Sequence, residues 1–160
     1  MQTEKALWQS LKKGTEKDVH WTRVEAWAGA GIPDVNGAFV RASNGQQIAI
    51  EMWCELKVCR TRKFKTLDLW RPAQVAWQTK RSTVSRYLYN LISHPDTREI
   101  KIFGGHLVRE LQEDADGTVE PDLVLKYRDP WSVFLDFVAS TPPTGPIAST
   151  APNLGLREAA

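Results

Sequence analysis

Residues 33–58 read PDVNGAFVRASNGQQIAIEMWCELKV, and the second half of this stretch alternates as a β-strand does. Over Ile48–Val58, the side chains of Met52, Cys54, Leu56 and Val58 fall on one side of an extended chain. Glu51, Trp53, Glu55 and Lys57 fall on the other, because successive residues of a strand point to opposite faces. One side is apolar enough for a core, and the other carries chemistry or water. Asn44-Gly45 is a dipeptide typical of tight hairpin turns, which places a partner strand at Ala38–Ala42; Asn36-Gly37 is a second signal of the same kind.

Upstream, Ala6, Leu7 and Leu11, with Trp8 beside them, form the apolar stripe of a short helix ending near Gly14. Residues 15–32 suit either a helical turn or a strand until AGAGIP breaks the pattern. Downstream, residues 59–70 read as a basic, apolar-poor loop, and Pro72 suits the first turn of a helix, PAQVAWQTKR. Further strands are expected over Tyr87–Ile92, Glu99–Leu111 and Leu123–Tyr127, with WSVFLDFV as a closing helix. The expected fold is α/β, a central mixed sheet of about five strands flanked by helices. Residues 1–139 form one domain, and residues 140–160, rich in Pro, Ser, Thr, Ala and Gly, read as a disordered tail.

Composition narrows the class without deciding it. A chain of 160 residues with 42% hydrophobic and 25% charged residues is an ordinary globular domain. No stretch reaches the roughly 18–20 apolar residues that span a bilayer, and the charged opening MQTEKALWQSLKKG lacks the apolar region of a secretion signal. Cys54 and Cys59, at CxxxxC spacing, and three dispersed histidines do not fit a zinc site. The natural setting on this reading is a reducing cytoplasm. A net charge of +2 conceals a polarised chain: from Lys57 to Arg86 there are nine Lys or Arg residues against one acid, Asp68. A basic segment leading out of the Ile48–Val58 strand can neutralise backbone phosphates, with Arg60, Arg62, Lys63, Lys65 and Arg71 the candidate contacts. Phe64, Trp70 and Trp77 are interleaved with these charges and either stack on bases or pack.

Three acidic residues and one lysine carry the candidate chemistry, Glu25, Asp34, Glu55 and Lys57, with Gln74 beside them. Asp34 and Glu55 lie on consecutive strands of a hairpin and can approach across the ladder; two adjacent carboxylates call for a proton or a cation between them. Mg²⁺ prefers oxygen ligands and usually takes one or two carboxylates, keeping water for the rest. Lys57, two residues beyond Glu55 on the same face, supplies a fixed positive charge where a phosphate would develop negative charge. Glu51 is a rival carboxylate on that face, but the residue two positions on is Trp53 rather than a lysine. Glu25 reads either as a site residue or as a surface acid, and Gln74 as a helix-borne amide reaching the site.

GIPDVNG, a hairpin, then ELKV in this order resembles the PD-(D/E)XK nuclease superfamily, with Pro33-Asp34 as its first signature and Glu55-Leu56-Lys57 as its second. Gln74 in RPAQVAW resembles an element of the Holliday-junction-resolvase-like and VRR-type branch, and the run from Trp21 to Trp77 looks like the small phage-encoded nucleases of that branch. The resemblance implies a restriction-endonuclease-like core and Mg²⁺-dependent hydrolysis of DNA phosphodiesters, with Mn²⁺ able to substitute. It implies metal ligands at Asp34, Glu55 and the Leu56 carbonyl, a water-orienting Lys57, and supporting roles for Gln74 and Glu25. The implied substrate is double-stranded, branched DNA, in the host cytoplasm if the chain is phage-encoded. A homodimer is implied by paired cuts on a junction, with the tryptophans a candidate apolar patch. Two other readings stand beside it: a non-catalytic DNA-binding module on the same fold, and a nicking or restriction-type nuclease.

Overall fold

A computed structural model of the protein describes residues 1–24, 30–43 and 45–140. The order along the chain is α1 (Glu4–Thr15), β1 (Val19–Arg23), β2 (Val35–Ser43), β3 (Gln46–Val58), α2 (Pro72–Arg81), β4 (Leu88–His94), β5 (Glu99–Gly104), α3 (Val108–Glu113), β6 (Leu123–Lys126) and α4 (Ser132–Ser140). The strands form one six-stranded sheet in sequence order, with β3 and β4 parallel and every other neighbouring pair antiparallel. The protein is thus α/β with a mixed sheet, one strand larger than the expected five. The extra strand is β1, drawn from the stretch that suited either structure.

Helices cover both faces, and strand parity decides which residues each face receives. Ile50, Met52, Cys54 and Leu56 of β3 join Leu7 and Leu11 of α1 and Phe134, Leu135 and Val138 of α4 in the larger core. The opposite face carries Cys59, Phe64, Trp70, Ile92 and Phe103, packed with Val108 and Leu111 of α3 and with Val75 of α2. Leu7 and Leu11 are fully buried, each worth roughly 1.5–3 kcal/mol of transfer free energy. Thr3 caps α1 by accepting from the Ala6 amide at 3.0 Å.

Three sequence expectations change. Asn36-Gly37 lies inside β2 rather than at a turn, opposite Thr22 and Trp21. Gly37 is needed there because the Trp21 ring lies across it, and a Cβ would meet that ring at 2.6 Å. The stretch 99–111 is not one strand: β5 ends at Gly104, where Gly105 packs against Leu88, and the chain turns into α3. The apolar spacing shifts with it, from the alternation of Ile100 and Ile102 to the helical interval between Val108 and Leu111. Finally, Ala139 and Ser140 belong to α4, while 141–160, the rest of the expected tail, lies outside the described residues. Among the described residues no helix is long and apolar enough to cross a membrane.

Candidate active site

The site forms where the central strand outruns its neighbour. The β2–β3 register ends at Val35 opposite Cys54, but β3 continues to Val58 along β4. Residues Glu55–Val58 therefore keep an open edge on the β2 side. Trp53 and Cys59 donate their amides to β4-side carbonyls, at 2.9 Å each, so the amide and carbonyl of Leu56, at opposite parity, face the open side. Asp34, the residue just before β2, fills part of this gap: its Oδ2 accepts from the Leu56 amide at 2.8 Å. The Asp34 backbone is held in turn by the Val24 amide, which donates to its carbonyl at 2.9 Å. Pro33-Asp34 and Glu55-Leu56-Lys57 thus meet in space, and the Leu56 carbonyl points into the same opening.

Glu55 and Lys57 project to the α2 face. Glu55 has no exposed side-chain surface and Lys57 only 12%, which excludes a solvated surface pair. Lys57 Nζ lies 2.8 Å from Glu55 Oε1. Gln74 lies on α2 one turn beyond Arg71; its Nε2 donates to Glu55 Oε1 at 2.5 Å, and its Oε1 accepts from Lys57 Nζ at 3.4 Å and from the Arg71 amide at 3.0 Å. Glu55 Oε2, by contrast, is buried without a hydrogen-bond partner. Burial, and then the negative charge of Asp34, push the Glu55 carboxyl up to about 7, against the opposing pull of Lys57.

A small cleft beside this edge, with about 40 Å³ of water-accessible space, is lined by Glu4, Lys5, Trp8, Arg23, Asp34, Val35 and Leu56. Glu4 adds a further upward push on the Glu55 carboxyl. No local motif marks Glu4, which precedes Asp34 by thirty residues and comes near it only through the packing of α1 on the sheet. Glu25 lies outside the described residues. Glu51 is turned to other work: its Oε1 accepts from Asn36 Nδ2 at 3.1 Å.

Among the described residues, no three His, Cys, Asp or Glu side chains gather as a metal cluster. Asp34 sits on the Leu56 amide and acts electrostatically on Glu55, whose buried Oε2 is unpartnered; with the Leu56 carbonyl these are the oxygen donors that a small hard cation takes while keeping most of its water. Of the candidate phosphate contacts, Arg60, Arg62, Lys63 and Arg71 are exposed and Lys65 is half-buried. Phe64 and Trp70 pack in the smaller core, so neither stacks on a base. Of the six described tryptophans, Trp8, Trp21, Trp53 and Trp77 are half-buried and Trp70 and Trp131 buried. Compared with known proteins, the chain matches no protein-family model, no curated protein and no solved structure.

Proposed function

We propose that the protein is a metal-dependent endodeoxyribonuclease, with branched DNA as its substrate class and Mg²⁺ as its cation. The observation that carries this reading is the buried Glu55 carboxylate: one oxygen is held by Lys57 and Gln74, and the other is buried with no hydrogen-bond partner. A carboxylate left incompletely bonded in the interior costs free energy unless function retains it. Asp34, Glu55 and the Leu56 carbonyl would hold the cation, and Glu4 of α1 lines the small cleft beside Asp34 and Leu56. When bound, such an ion supplies Lewis-acid polarisation of the phosphate and a water of lowered pKa. Lys57 contributes a fixed positive charge toward the attacked phosphate, and Gln74 keeps both Lys57 and Glu55 from swinging away. The basic loop from Arg60 to Arg71 would hold flanking phosphates, and a dimer would place two such sites on one junction.

One observation favours the rival reading of a non-catalytic DNA-binding module: Lys57 pairs with Glu55 at 2.8 Å, so each charge already has a structural partner in the other. A single assay separates the two. Purified protein is incubated with a four-way junction, a flap, linear duplex and single strand in Mg²⁺, Mn²⁺ or EDTA. Metal-dependent cutting that vanishes in Asp34→Ala supports the nuclease; DNA binding with no cutting in either metal leaves the binding module.

A further inference from the structure

At the C-terminal end of α2 a cavity of about 370 Å³ is lined by Trp77, Lys80, Arg81, Thr83 and Val84. Its chemistry is unusual for a free surface. Val84 is apolar yet 78% exposed. The Trp77 indole is braced from one side by Trp53, edge-on at 5.6 Å, and meets the Arg81 guanidinium at 5.8 Å from its ring centre. Thr83 fixes the turn by donating to the Lys80 carbonyl at 2.7 Å, and Arg109 adds a further cation next door by donating to Thr79 Oγ1 at 3.3 Å. Among the described residues no acid lines the cavity.

The position matters as much as the composition. Gln74, Trp77 and Arg81 are three and four residues apart on α2 and so share one helix face with the candidate active site. At 1.5 Å per residue, Arg81 lies about 10 Å along the helix from Gln74. That is about three nucleotides at the B-DNA rise of 3.4 Å. An aromatic wall with the Arg81 guanidinium over its face and Lys80 beside it suits a nucleobase and its phosphates, since bases stack on aromatic and guanidinium planes alike and the cations meet the backbone. A protein partner would favour an apolar centre depleted of charge, whereas here two of the five lining residues are cationic.

We propose that this cavity holds one unpaired nucleobase against Trp77, with its phosphates on Lys80 and Arg81, so that the enzyme selects DNA carrying single-stranded nucleotides beside the cleavage point. The inference rests on the nuclease reading, and its test separates the two. The full chain is titrated in EDTA with two probes, a duplex bearing a short single-stranded flap with 2-aminopurine in the flap, and the same duplex without it. Stacking quenches the 2-aminopurine emission. In Val84→Glu, whose exposed side chain does not hold the fold, the quench is lost and the preference for flap over duplex falls on the order of tenfold. Trp77→Phe keeps part of both. Val133→Glu, an exposed valine made acidic on α4, leaves the preference as in the unaltered chain. A flap preference and quench that survive Val84→Glu overturn the cavity proposal while DNA cleavage stands. A change in Val84→Glu confined to self-association, read by light scattering, also overturns it, because the patch would then seat a second copy. Binding to neither probe removes the nuclease reading itself.

Discussion

Gln74 Nε2 donates to Glu55 Oε1 at 2.5 Å while the Oε1 of the same amide accepts from the Arg71 amide at 3.0 Å. One side chain therefore closes the first turn of α2 and fixes a carboxylate on the central strand. Replacing it tests whether the site depends on this tie. Gln74→Ala is expected to lower cleavage or Mg²⁺ affinity by about 10–100-fold, the usual cost of losing an outer partner of a ligand. It should also destabilise the fold by roughly 1–3 kcal/mol, because Glu55 loses a buried bond. Unchanged cleavage across a Mg²⁺ titration would show that Gln74 serves the helix alone.

The ligand and charge residues should behave differently from their supports. Asp34→Ala, Glu55→Ala and Lys57→Ala are each expected to reduce cleavage by on the order of 10²–10³-fold or more while DNA binding persists. Single-turnover rates and filter binding on the same preparations check both halves of the statement. Near-normal metal-dependent cutting by Asp34→Ala would move the site elsewhere.

Stability in EDTA should carry a signature of Glu55. Its carboxyl titrates at 4.5 in an unfolded chain and about 7 in the fold, where burial and Asp34 disfavour the charge. Between those values the unfolded chain ionises Glu55 while the folded one keeps its proton. The contribution of this group is fully present below pH 4.5, falls by at most roughly 1.4 kcal/mol per pH unit, and is lost as pH passes 7. Glu55→Gln should flatten this part of the curve of urea-unfolding free energy against pH, and identical curves for both proteins would refute the assignment.

Gly31 takes a left-handed φ of 82° and lies where an added Cβ would come within 2.1 Å of the Ala73 carbonyl oxygen. The segment leading into Asp34 is thereby packed on the first turn of α2. Gly31→Ala should cost roughly 1–3 kcal/mol of stability from backbone strain. It should also reduce cleavage by tenfold or more by shifting Gln74 relative to Glu55. A melting temperature and rate equal to those of the unaltered protein would show that the two segments adjust freely.

The basic loop bears on affinity rather than rate. Replacing Arg60, Arg62, Lys63 and Lys65 by Ala should flatten the log–log salt dependence of DNA binding by up to ~0.9 per lost phosphate contact. Lys63 lies 3.9 Å from the Asp116 carboxylate, and a pair so exposed leaves it free to turn to a phosphate. An unaltered slope would turn this loop away from nucleic acid.

What could be read from the sequence followed periodicity. The parity of β3 separated Met52, Cys54 and Leu56 from Glu55 and Lys57, and Pro72 with its apolar spacing marked α2 at its observed bounds. Parity gives a side but not its cover, so the complete burial of Glu55 under α2 was invisible in the alternation. The same limit hid Glu4, which shares no local pattern with Asp34 and meets its cleft only because α1 crosses the sheet there. Asn36-Gly37 misled as a turn because the glycine answers to the ring of Trp21 rather than to its own neighbours in sequence.

The mismatch between β2 and β3 has a consequence for how this chain tolerates change. A sheet with every rung filled would leave no vacancy for a carboxylate and a carbonyl to meet; here the vacancy exists because β2 begins at Val35 while β3 runs four residues past their last pairing. Lengthening or shortening the connection ahead of Asp34 would move the start of β2, and with it the width of that vacancy. The same insertion beside Gly45, at the far end of the same ladder, would fall where Gly45 has open space around it. The two connections that flank β2 thus stand under opposite constraints, one free to drift and the other fixed by the place Asp34 takes at the Leu56 amide.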